Sequence, residues 1–124
     1  MPYLIQIKIS DECIKAELNN SAGAQELLKK LPMKVNMSRW GDEYYGSCGL
    51  TQELCAEAKV IMEVGEIAVW PTGNALCIFF GPTPVSTDGR PRAATEVNPV
   101  GKLIDSPDLL KKFGHSITVE ITVL

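Results

Sequence analysis

The chain opens on strict alternation. Tyr3, Ile5, Ile7 and Ile9 fall on one side and Leu4, Gln6 and Lys8 on the other, the mark of a strand with one buried face. Ser10-Asp11-Glu12 supplies a turn, and residues 13–18 follow as a second strand in hairpin with the first. The period then changes. Ala24, Leu27, Leu28 and Leu31 recur at helical spacing behind the capping oxygens of Asn19-Asn20-Ser21. Lys29 and Lys30 sit at the negative end of that helix dipole, and Pro32 stops the helix. Strand character returns over 33–37 and, after a bend that Gly41 permits, over 40–45. Residues 46–50 read as a loop or a bulged edge, and 56–64 alternate as a strand.

Gly65-Glu66 predicts a tight turn into a strand over 67–70, and Pro71-Thr72-Gly73-Asn74 carries turn chemistry. Residues 75–80 form the most apolar segment. Neither set of alternate positions is polar, which predicts a strand buried on both faces. Pro82, Pro84, Asp88-Gly89 and Pro91 make residues 81–98 read as a long surface loop, with Pro99 just beyond. A short strand over 100–104 follows. Ser106 as cap and Pro107 at the first helical position predict a helix that Gly114 ends. The last strand covers 117–124, with Ile117, Val119, Ile121 and Val123 on one face. About eight strands separated by turns, with two short helices, are incompatible with a regular βαβ sheet. The economical solution is a mainly β fold: a closed antiparallel barrel whose ends are covered by the two helices, which leaves no strand edge exposed.

Composition supports one ordinary domain over residues 1–124. The 124 residues are 45% hydrophobic and 22% charged, with a net charge of −3. That balance excludes a disordered chain and argues against a general nucleic-acid binder. Charged and polar residues interrupt the first twenty positions, so no signal peptide forms, and no apolar run approaches a membrane span. The expected location is therefore cytoplasmic, with no membrane partner. Cys13, Cys48, Cys55 and Cys77 make no C-x-x-C pair and His115 is the sole histidine, so no metal site is expected and the cysteines read as free thiols. Neither a G-x-G-x-x-G nor a G-x-S-x-G motif occurs, and no cofactor is expected.

Three segments resemble a known family. They are Trp40-Gly41-Asp42-Glu43-Tyr44-Tyr45, the long stretch from Gly65-Glu66-Ile67-Ala68-Val69-Trp70 through Pro71-Thr72-Gly73-Asn74 to Phe79-Phe80-Gly81-Pro82-Thr83-Pro84, and Asn98-Pro99-Val100-Gly101-Lys102-Leu103. In this order they resemble the small prokaryotic cyclophilin-like proteins. The resemblance implies a closed eight-stranded cyclophilin-like barrel with two helices. Cyclophilins proper are peptidyl-prolyl isomerases that bind an extended peptide on the outer face of the barrel. There an arginine donates near the prolyl nitrogen and an apolar pocket takes the ring. The segment that carries that arginine has no clear counterpart here. Of Arg39, Arg90 and Arg92, Arg39 lies nearest in sequence, and no motif places it in a catalytic role.

The candidate site is therefore a groove rather than a catalytic constellation. Trp40 and Trp70 are the aromatics suited to stack on a proline or a flat ligand, against the alternative of packing on the barrel wall. Tyr44 and Tyr45 point to opposite faces of a strand, so at most one of them faces a groove. Arg39 with Asp42 and Glu43 offers charged and hydrogen-bonding groups, although neighbouring carboxylates on a strand point apart and form no acid–base pair. Asn74 presents an amide in the turn, or serves there only for its backbone tolerance. Phe79 and Phe80 diverge, one into the barrel and one toward the outside, and the pattern does not assign which. The expected ligand-binding set is Arg39, Trp40, Glu43, Tyr45, Trp70, Asn74 and Phe79. The expected partner is a proline-containing or extended peptide, or a small ligand. A weak isomerase using Arg39 and an interaction subunit using the 82–98 loop are the alternatives, and the oligomeric state is left open.

Overall fold

The structure, a computed structural model, describes residues 3–124. Strands β1 (Tyr3–Ile9) and β2 (Glu12–Leu18) form the expected hairpin. Helix α1 (Ala22–Lys30) is capped by Ser21, whose hydroxyl accepts the Ala24 N–H at 3.1 Å. Strands β3 (Met33–Arg39), β4 (Glu43–Ser47), β5 (Lys59–Ile61), β6 (Glu66–Trp70), β7 (Ala75–Phe79), β8 (Arg92–Leu103) and β9 (Ser116–Val123) complete the list.

Eight of these strands pair in the order β2-β1-β9-β3-β4-β7-β6-β8, and β8 returns to β2. Every pairing is antiparallel and the ring is closed. The protein is thus a closed eight-stranded antiparallel barrel, and β5 is a short ninth strand attached to β8 outside the ring. Two glycines allow neighbouring segments to come unusually close. A Cβ on Gly46 would run into the carbonyl of Asn36, and one on Gly101 into the carbonyl of Glu17. No helix among the described residues is long and apolar enough to cross a membrane.

Three sequence expectations need correction. The loop over 81–98 is shorter than its prolines suggest, because β8 already starts at Arg92. Residues 93–97 hold no turn chemistry, and Pro99 is accommodated where the β6–β8 register shifts, between the pairs Ile67↔Gly101 and Ala68↔Pro99. Of the strand expected over 56–64, only Lys59–Ile61 pairs, since β8 alone is available to it there. The late helix is a 3-10 turn over Pro107–Lys112, capped by the Ser106 hydroxyl at 3.3 Å from the Asp108 N–H.

Strand alternation sorts the apolar residues into two clusters. Tyr44, Ile67, Val69, Leu76, Ile78 and Phe80 face inward, with the isoleucines of β1 and with Leu27 of α1. Ala68, Cys77 and Phe79 face outward, yet all are buried, because Met62, Ala93 and Val97 cover them and Trp70 packs alongside. This second cluster explains why β7 is apolar at every position. It also answers which face of β7 lies inside the barrel: that of Leu76, Ile78 and the following Phe80.

Candidate functional site

A cavity of about 140 Å³ opens at the rim of the outer cluster. Trp40, Glu43, Tyr45, Trp70, Cys77, Ala93, Ala94 and Val97 line it. The register explains the convergence. Tyr45 pairs with Cys77 and Glu43 with Phe79, so these side chains share the outer face of β4 and β7 while Tyr44 turns inward. Trp40 reaches the same rim because residues 40–43 make a tight hairpin, with the Trp40 N–H donating to the Glu43 carbonyl at 2.8 Å and Gly41 at a φ of 60°.

Trp70 ends β6 and is held on two sides. Its indole N–H donates to the Thr95 hydroxyl at 2.6 Å. On the other side the ring lies against Gly73, where a Cβ would come within 2.6 Å of it. A tryptophan fixed in this way presents a rigid surface to the cavity, with little side-chain entropy left to lose on binding.

Glu43 is the unusual member. It is only 5% exposed, and its Oε1 is the one buried side-chain nitrogen or oxygen among the described residues with no hydrogen-bond partner. Burial pushes its carboxyl up to about 7 from an ordinary 4.5, against the smaller, lowering effect of a hydrogen bond with the Cys77 thiol. Cys77 in turn is held well above the usual thiol range, first by burial and then by the Glu43 charge, so it stays a protonated thiol.

The remaining expected residues lie elsewhere. Arg39 pairs in register with Tyr44, which places it toward the inner face, away from Glu43. Its guanidinium sits over the Phe80 and Tyr44 rings, at 5.0 and 5.9 Å from their centroids. It donates to the carbonyls of Gly41, Lys111 and Phe113 and to the Asp42 carboxylate. Arg39 therefore ties the end of the barrel to the 3-10 turn. Asn74 ends the turn after β6 with a φ of 50° and stands outside the cavity, its carbonyl accepting the Cys48 N–H. Phe79 is fully buried beneath the cavity rather than lining it.

Cys77, Ala93, Ala94 and Val97 were absent from the expected set. Cys77 was legible, because strand alternation puts it on the face of Phe79. The three residues of β8 were hidden by the prolines on either side of them.

Two wider hollows are chemically ordinary. The one between β2, β5 and β8 brings together Glu17, Lys59, Glu66 and Lys102, but Lys59 pairs with Glu66 at 2.8 Å and Lys102 with Glu17 at 3.5 Å. The other lies beside β9, where Lys34 is within 3.9 Å of Glu120.

Comparison with known proteins agrees with the architecture. No curated protein matches the chain. Among solved structures, the solution structure of a hypothetical protein from Archaeoglobus fulgidus superposes with a TM-score of 0.80 at 29% identity, over 99% of this chain and 95% of that one. The cyclophilin-like family profile matches residues 3–122. With the closed barrel and the near-complete match in hand, the chain belongs to the cyclophilin-like family.

Proposed function

We propose that the protein is a small binding module whose outer-face pocket receives the apolar ring or side chain of a proline-containing or extended peptide, or a small ligand of the same bulk. The observation that carries this reading is the convergence of Trp40, Tyr45 and Trp70 on a buried carboxyl whose Oε1 no protein group satisfies. A buried unpaired polar atom costs about 1–3 kcal/mol, so its natural partner is a donor on a ligand, such as an amide N–H. The cavity, at about 140 Å³, holds one ring or one head group while the rest of a ligand runs over the open rim.

The reading gives Arg39 no part in binding. Prolyl isomerisation through Arg39 would require it to give up the hydrogen bonds that hold the end of the barrel. Titration of a panel of short peptides, with and without proline, tests the proposal through tryptophan fluorescence. Saturable quenching that Trp70→Leu removes is the expected result. A folded sample unresponsive to the whole panel would count against it.

A further inference from the structure

Three aromatic rings around one carboxyl without a counter-ion form a distinctive set. Trp40, Tyr45 and Trp70 supply three aromatic side chains, and Cys77, Ala93, Ala94 and Val97 supply the apolar remainder of the wall. No lysine or arginine lines the cavity, and Arg39 is committed to Asp42 at the end of the barrel. When Glu43 is ionised, the pocket thus concentrates negative potential beside aromatic rings, and no lining residue carries a positive charge to neutralise it. A neutral amide would satisfy Glu43 and could stack on the rings, but it would draw no charge-based attraction from either. A compact organic cation uses both, through cation–π attraction to the faces and charge pairing with the carboxylate.

We propose that this pocket is selective for a methylated ammonium head group, either on a free small molecule or on a methylated lysine side chain. The inference rests on the binding-module reading and narrows its ligand class. The size of the cavity agrees, since about 140 Å³ suits a trimethylammonium group and excludes larger flat cofactors. The open rim beside Tyr45, which is 37% exposed, gives the attached chain a way out.

Protonation is coupled to this selectivity. The titratable groups facing the cavity are Glu43 and Tyr45 of β4 and Cys77 of β7, while β6 contributes Trp70 and β8 contributes uncharged residues. Cys77 stays protonated across the neutral range, whereas Glu43 changes charge there. Cation affinity should rise with pH through the neutral range as Glu43 ionises, and binding should release a proton near pH 7.

The test is calorimetry and tryptophan fluorescence on the intact protein with four probes. These are choline, its neutral isostere 3,3-dimethylbutan-1-ol, a short trimethyllysine peptide and an acetylated proline peptide. The expected result is choline binding at least about tenfold tighter than the isostere. Glu43→Gln should narrow that difference to the part the rings supply, while Trp70→Leu should weaken both probes. If the lysine peptide binds tighter than choline the source is a protein tail, and if weaker it is a free small molecule. Equal binding of choline and its isostere to the wild type would overturn the inference, and needs no variant to be decisive. If the proline peptide then still binds, the binding-module reading survives; if none of the four binds, both fall.

Discussion

Glu43 carries a cost that its surroundings do not repay. Its carboxyl titrates near 7 in the folded protein against 4.5 unfolded, because burial disfavours the charged form. The folded state therefore binds the proton more tightly, and stability falls as pH rises from about 4.5 to 7 and levels off above. The shift corresponds to about 3 kcal/mol of stability present in acid and absent at alkaline pH. Glu43→Gln should remove that slope. Denaturant unfolding across this range should show the variant gaining on the wild type by about 3 kcal/mol, and parallel pH profiles would refute the assignment. Arg39 contrasts with it. Its hydrogen bonds span β3, the hairpin and the 3-10 turn. Arg39→Ala should cost about 2–3 kcal/mol while leaving ligand affinity unchanged, and a selective loss of binding in a stable variant would contradict its structural role. Sequence adjacency misplaced Arg39, because only the register with Tyr44 reveals which face it takes. The opposite facing of Tyr44 and Tyr45 is legible in the sequence because alternation along a single strand is local.

At the level of elements, patterns with a short period were legible and long-range pairings were not. The β1–β2 hairpin, α1 and the doubly buried β7 follow from alternation, capping and apolar runs within a few residues. β8 did not, because Pro99 and the prolines before Arg92 hid a 12-residue strand that bends past Pro99 to serve three partners. Asn98 shows what that strand holds in place. Its side-chain oxygen accepts the Cys55 N–H at 2.9 Å, and its amide donates to Gln52 and to the Glu53 carbonyl. It thereby tethers the irregular segment that precedes β5. Asn98→Ala should speed amide exchange at Cys55 with little effect on β1 and β9, and uniform acceleration along the chain would argue that the tether is not local. Gly46 is the corresponding point on β4. A methyl group there meets the Asn36 backbone, so Gly46→Ala should destabilise the barrel by about 1–3 kcal/mol in chemical denaturation, and an unchanged midpoint would rule out the close approach.

At the scale of the whole molecule, closure of the barrel and the outer cluster are two uses of the same strands. β4, β6 and β7 give one face to the interior and the other to Met62, Ala93 and Val97, and the candidate pocket is the unfilled margin of that second core. The closed barrel was readable because strand count and turn spacing constrain it. The pocket was readable only in part, since Ala93, Ala94 and Val97 of its wall come from a strand far away in sequence. Glu43 occupies that margin buried, with its Oε1 unpaired. Carbon-13 NMR of the Glu43 side-chain carboxyl, followed through a pH titration of the ligand-free protein, measures this directly. A midpoint near 7 is predicted, and one near the ordinary value of 4.5 would mean that the carboxyl is solvated or paired and that the pocket described here is not the site.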